Sequence, residues 1–201
     1  MSGKIQNLLE QANFSEAEAS SVNIAKRTFL TEIEAKDFFD KTKQKLLNLE
    51  EWNANSSSGY ELFDENGNVS VTKIISAGKF IRIGVPASGK YDWVKILEID
   101  DAPDEFVITV QPTYDPTEKP IDKTVTSHFF KSESRNNFCL HRDDTSVALY
   151  VIGLNERANA KEADNAFEAA RNIATANTGY YLGIQKAMWT QFCKNFLEIG
   201  K

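Results

Sequence analysis

Two histidines and a cysteine supply the first chemistry that can be read from the chain. If the polar run 132–137 turns a hairpin between strands at 125–131 and 138–142, a symmetric register sets His128 opposite His141 and Phe130 opposite Cys139. These four then share one sheet face, with the two imidazoles about 5 Å apart at Cβ. Two imidazoles and a thiolate at that separation suit zinc. The sequence offers no fourth ligand, and a one-residue slip in register dissolves the set. The simpler reading is of two half-exposed strand histidines beside a packed Phe and Cys, so neither a metal nor a cofactor is expected.

Further candidates are cations and rings placed where a pocket could use them. Asn155-Glu156-Arg157 follows the most apolar segment of the chain. Arg157 there could grip an anion with Glu156 orienting it, or the three could simply cap backbone ends. Arg82 and Lys95 sit inside otherwise apolar strands, where they either enter a cavity and hold a ligand's anionic end or alternate onto the solvent face. Trp93 and Trp189 could line or gate a pocket, although rings at such spacings usually belong to a core. Gly84-Val85-Pro86-Ala87-Ser88-Gly89-Lys90 lacks phosphate-loop spacing and no helix follows it to present amides. The sequence has no Gly-x-Ser-x-Gly elbow, paired-Cys zinc motif or His-Glu-x-x-His helix. An enzyme is therefore the least favoured reading.

Positioning such groups takes a framework, and the composition allows a full one. The chain of 201 residues is 41% apolar, enough for one domain over 1–201 that buries about 70% of its unfolded surface. The 23 Lys and Arg are scattered among 29 acids, a net charge of −6, which argues against a phosphate-backbone partner. Nowhere does an apolar run reach the roughly 18 residues needed to span a membrane, and the first residues do not read as a signal peptide, so a cytoplasmic protein is expected. Cys139 and Cys193 fall in segments of different type, as reduced, semi-buried side chains would.

Periodicity divides the chain into three regions: a helical segment at 1–52, an antiparallel sheet at 60–152 and a helical segment at 161–199. Ile5, Leu8, Leu9 and Ala12 are spaced for a short helix, and the capping-box pattern at Ser15 and Glu18 predicts a second to about Lys26. Thr31 and Glu34 repeat that pattern ahead of the stripe Ala35, Phe38, Phe39, Thr42, Leu46 and Leu49, a helix ending at Trp52. From Tyr60 the period becomes two. Asn66-Gly67 marks a tight hairpin between 60–63 and 69–71. The segments 93–99 and 106–111 should pair across Asp100 to Asp104, and 147–152, apolar on both faces, should be central or covered on both sides. The fold class expected is α+β, with six or seven antiparallel strands packed on a long C-terminal helix and two or three helices before them.

The residues 35–53, Tyr60 to Phe63, Gly78-Lys79-Phe80-Ile81-Arg82 and Trp93-Val94-Lys95-Ile96-Leu97-Glu98-Ile99-Asp100 with Ala102-Pro103, together with the final helix, give an order of elements similar to the helix-grip fold of the START, polyketide-cyclase and pathogenesis-related families. That resemblance implies a curved sheet around the C-terminal helix, with a cavity between them for a small apolar molecule. Asn177-Thr178-Gly179 should kink or break the last helix, leaving the bulky later half for the sheet to grip. The implied cavity walls then include Tyr181, Ile184, Met188 and Phe192, with Arg82, Trp93 and Arg157 as further ligand contacts. The function expected is non-catalytic binding of a small, largely apolar ligand. The rival is an interaction or structural module whose exposed helix face meets a partner or a second copy of the chain.

Overall fold

The computed structural model describes residues 3–14, 20–84, 91–119, 123, 126–128, 130–157, 159 and 178–200, of which the side chains of Phe14 and residues 178–184 are not described. In chain order the elements are α1 (Lys4–Phe14), β1 (Ser20–Thr28), α2 (Glu32–Leu47), α3 (Leu49–Asn55), β2 (Tyr60–Phe63), β3 (Phe80–Gly84), β4 (Tyr91–Asp101), β5 (Glu105–Pro112), β6 (Arg135–Asp143), β7 (Ser146–Leu154) and α4 (Thr178–Phe196). The strands form one antiparallel sheet in the order β1-β7-β6-β5-β4-β3-β2. This is the expected α+β class, with the expected strand count.

Alternation along the strands gives the sheet two apolar faces, and each must be covered. The inner face carries Ile81, Val94, Ile96, Ile108, Val110, Phe138, Leu140, Leu149 and Val151, which pack with Trp52 and with Phe192, Phe196 and Leu197 at the end of α4. On the outer face, Val107, Cys139, Tyr150 and Ile152 meet Ile5 and Leu8 of α1. Every residue of β7 is buried because helices lie against both of its faces, as its run of apolar residues predicts.

Local chemistry sets the helix ends. Thr31 Oγ1 accepts from the Glu34 N–H at 3.2 Å and Glu34 Oε2 accepts from the Thr31 N–H at 3.1 Å, the expected capping box. The helix does not run on to Trp52. Asn48 adopts extended backbone, and its Oδ1 accepts from the Glu50 N–H at 3.1 Å, so it starts a new helix, α3. That break turns Leu49 and Trp52 into the core, where Trp52 Nε1 donates to the Leu46 carbonyl at 2.9 Å.

Three expectations are corrected. Residues 20–26 form strand rather than helix: Asn23 and Ala25 are buried while Val22, Ile24 and Lys26 face out, a period of two. Pairing with the apolar β7 along its whole length outweighs the weak helical signal there. The capping pattern at Ser15 lies outside the described residues. Second, the Asn66-Gly67 turn forms, with Asp64 Oδ1 accepting from the Asn66 and Asn68 N–H groups at 2.9 and 2.8 Å, but its return arm is a single bridge, Phe63 to Val69. Gly67 has φ of 79°, and a Cβ there would sit 2.2 Å from the Pro116 carbonyl oxygen. Third, β6 does not take 125–131 as its partner, as the expected hairpin requires. β6 starts at Arg135, inside the expected loop, and pairs with β5 and β7, two long apolar strands that together satisfy its backbone on both edges.

Candidate functional site

Between the inner sheet face and helices α3 and α4 lies a cavity of about 310 Å³. Its hydrocarbon wall comes from alternate strand positions: Ile81 and Ile83 on β3, Val94 on β4, Val110 on β5 and Phe138 on β6. Met188 and Trp189 of α4, Trp52 of α3 and Phe130 complete that wall. The rings support one another. Phe138 lies 4.5 Å from Trp52 and 5.4 Å from Trp189 between centroids, and Phe192 sits 5.4 Å from Trp52 and 5.6 Å from Trp189 as the floor beneath them.

Polar groups enter this wall at few places. Tyr60 reaches Ser56 Oγ through its hydroxyl at 3.2 Å, and burial raises the phenol pKa against the opposing effect of that bond, so it stays neutral. His128 Nδ1 accepts from the Phe130 N–H at 2.9 Å, which places the proton of the neutral ring on Nε2. Ser58, Asp92, Asn136 and Gln185 also contribute to the lining.

Behind Asn136 and Gln185 sits Glu156, only 5% exposed. Asn155 takes a left-handed φ of 54° immediately after β7, which turns Glu156 back over Gly153. The carboxylate then fills the space a side chain at 153 would need, since a Cβ there would lie 2.1 Å from Glu156 Cδ. Ser21 Oγ donates to Glu156 Oε2 at 2.6 Å, and Gln185 Nε2 donates to Oε1 at 3.3 Å. With its amide oriented to satisfy its neighbours, Asn136 Nδ2 also donates to Oε1, at 3.1 Å. Burial nevertheless pushes the Glu156 pKa above the usual carboxylate range, and the bonds from Ser21 and Gln185 only partly offset it. One carboxylate thus ties β1, β6 and α4 together at the cavity edge. On α4, Gln185 Oε1 and Trp189 Nε1 are buried without a hydrogen-bond partner.

The structure separates the residues singled out from sequence. Met188 lines the cavity and Phe192 lies beneath it. Tyr181 and Ile184 belong to the early turns of α4, but their side chains lie outside those described, as do residues 161–177, so the expected break at Asn177 to Gly179 falls at the edge of the described helix. Arg82 and Trp93 do not face the cavity. Ile81, Ile83 and Val94 point inward, so strand parity sends both outward. There Arg82 pairs with Glu61 and lies 4.2 Å from the Tyr91 ring centroid, while Trp93 packs edge-on to Phe63 at 4.9 Å. Lys95 likewise reaches over Phe80. Arg157 is exposed beyond β7 and is not among the lining residues; its neighbour Glu156 is the one that turns inward.

His128, Cys139 and His141 are not brought together either. His128 is on the cavity side, whereas Cys139 is sealed under α1 on the outer face, opposite Val107 and Tyr150 in register. Burial raises the Cys139 thiol pKa strongly. Among the described residues no three His, Cys, Asp or Glu side chains form a group that could hold a metal ion, and no helix is long and apolar enough to cross a membrane.

No protein-family model matches the sequence, and no curated protein does. Solved structures do match, 69 chains in all. A hypothetical protein of Helicobacter pylori is 10% identical over 96% of this chain and 94% of its own, with a TM-score of 0.56. A protein of Arthrobacter aurescens is 9% identical over 92% of this chain and 90% of its own, at 0.43, and the ginseng (Panax ginseng) major latex-like protein 151 is 12% identical over 80% and 94%, at 0.32. At these identities the first likeness concerns the fold alone, and the other two support nothing further.

Proposed function

We propose that this protein binds a small, largely apolar molecule, without catalysis, in the cavity between the sheet and α4. The observation that carries the reading is the cavity itself. It is lined by Ile81, Ile83, Val94, Val110, Met188 and Phe138 on rigid elements, closed by Trp52 and Trp189, and edged by a small polar cluster. About 310 Å³ is at the lower end of the range for small-molecule sites. Each methylene transferred from water onto such a wall is worth roughly 0.8 kcal/mol. His128 Nδ1 accepts the Phe130 N–H, so that nitrogen is not open to act as a base. The layout expected from the helix-grip resemblance, a sheet around a C-terminal helix, agrees with this reading.

Native mass spectrometry of the purified protein, followed by extraction and identification of small molecules, tests it. A monomer carrying a co-purified apolar compound, lost in a cavity-filling Val110→Trp variant that still folds, is the expected result. An empty protein that takes up no apolar compound at saturation overturns the reading, and an empty dimer would favour the interaction-module alternative.

A further inference from the structure

Charge is distributed unevenly around the cavity. Its described lining holds one acid, Asp92, and no Lys or Arg. Strand alternation produces that imbalance. Asp92 lies two residues before Val94 on β4 and stands opposite Ile83 of β3 in register, so it shares the face of those two wall residues. Arg82 and Lys95, the cations of β3 and β4, have the other parity; Arg82 pairs with Glu61 and Lys95 reaches over Phe80. His128 does not supply the missing charge, because its Nδ1 accepts the Phe130 N–H and an imidazolium has no lone pair with which to accept. Glu156 is not a lining residue and is enclosed by Ser21, Gln185 and Asn136. Among the described residues, no hydrogen bond or ion pair engages the Asp92 carboxylate, which is half-buried.

We infer that the molecule bound in this cavity is a cationic amphiphile: a protonated primary or secondary amine on an apolar body, with the ammonium donating to Asp92 and the body lying on Ile81, Ile83, Val94 and Val110. The inference rests on the binding function proposed above and specifies the chemistry of its ligand. An ionised carboxylate only accepts, so its match is a donor, and a charged donor adds an attraction that a neutral one lacks. A ligand carboxylate or phosphate meets repulsion from Asp92, with no Lys or Arg in the described lining to offset it. A pure hydrocarbon displaces water from Asp92 and returns no hydrogen bond. Because Asp92 is half-buried, the ammonium keeps part of its hydration, while the attraction is screened less than between two exposed charges.

The test is isothermal titration calorimetry of the full chain at neutral pH with four probes of one skeleton: para-butylbenzylamine, para-butylbenzyl alcohol, para-butylbenzoate and butylbenzene. The amine and the alcohol are close in size and both donate, so their difference reads the charge. An exposed ion pair is worth up to about fivefold in affinity, and a half-buried one at least that. The expected result is therefore an amine that binds at least about fivefold more tightly than the alcohol, with the benzoate weakest of the four. In Asp92→Asn the amine should fall to within about twofold of the alcohol while butylbenzene keeps its affinity, and in Asp92→Lys the benzoate should overtake the amine. Asp144→Asn removes the same charge at the exposed β6–β7 turn and should leave the amine's advantage intact, which separates contact with Asp92 from general attraction by a chain of net charge −6. The wild-type comparison of amine with alcohol decides the matter even if a variant at 92 fails to fold. Equal affinities there, an advantage that survives Asp92→Asn, or one lost in Asp144→Asn overturns the inference, while butylbenzene binding leaves the apolar site in place. Failure of all four probes to bind overturns the inference and the proposed function together.

Discussion

Replacing Gly153 by alanine probes the buried carboxylate without touching it directly. The added Cβ would lie 2.1 to 2.4 Å from the Glu156 carboxylate atoms, far inside van der Waals contact. The carboxylate must therefore move, although it is held by Ser21 and Gln185 and has only 5% of its surface exposed. Losing one hydrogen bond to a charged group costs about 1.5–3 kcal/mol. Against this, alanine in a strand interior gains roughly 0.5–1 kcal/mol over glycine. The net expectation is a loss of about 1–2 kcal/mol for Gly153→Ala. With Glu156→Ala in the background the obstacle is gone, and the same substitution should be neutral or stabilising by up to about 1 kcal/mol. The double-mutant cycle should thus show a coupling of about 2 kcal/mol. Urea titrations of the four proteins, followed by far-ultraviolet circular dichroism with matched slopes, measure it. Equal effects of Gly153→Ala in the two backgrounds would refute the argument that Glu156 occupies the space over Gly153.

Three further outcomes follow from the same geometry. Glu156 has a raised native pKa, so the folded chain keeps a proton that the unfolded chain releases near pH 4.3. Wild-type stability relative to Glu156→Gln should be greatest below about pH 4.3 and should decline as pH rises through the native pKa; paired urea titrations across pH would contradict this by showing a rise. Arg82→Ala, on the outer face beside Glu61 and Tyr91, should leave apolar-probe affinity within about twofold of wild type, while Met188→Ala should weaken it about tenfold or more; calorimetry with butylbenzene distinguishes them. Burial pushes the Cys193 thiol up to about 12 and raises Cys139 as well, so Ellman's reagent at neutral pH should find no rapidly reacting thiol in native protein and two after denaturation.

Periodicity carried most of the fold into the sequence. The stripe from Ala35 to Leu46, the β4–β5 pair and the doubly covered β7 are legible because burial at period 3.6 or 2 leaves its mark residue by residue. β1 was not legible: an edge strand with one covered face needs only Asn23 and Ala25 inside, too weak a pattern to compete with a nearby capping signal. The partner of β6 was not legible either, since strand pairing is a long-range choice and 125–131 was the nearest candidate in sequence. A hairpin with that nearer segment would put His128 beside Cys139 and His141. Parity explains the site residues in the same way. Strand alternation puts Ile81 and Ile83 on one face and Arg82 on the other, and Trp93 opposite in parity to Val94. Glu156 was visible as a charge after an apolar strand, but its inward turn depends on the left-handed backbone at Asn155 and on the open space at Gly153. Gln185 is marked in the sequence as a polar side chain on the broad apolar face of α4, one turn before Trp189.

An apolar molecule bound between the sheet and α4 must touch the inner-face side chains. Isotope-filtered NMR of labelled protein saturated with butylbenzene reads that position directly through intermolecular nuclear Overhauser contacts. Contacts from the butyl chain to the methyl groups of Ile81, Ile83, Val94, Val110 and Met188 are the predicted result. Contacts only to outer-face residues such as Phe63 and Trp93, or none at saturation, would contradict it.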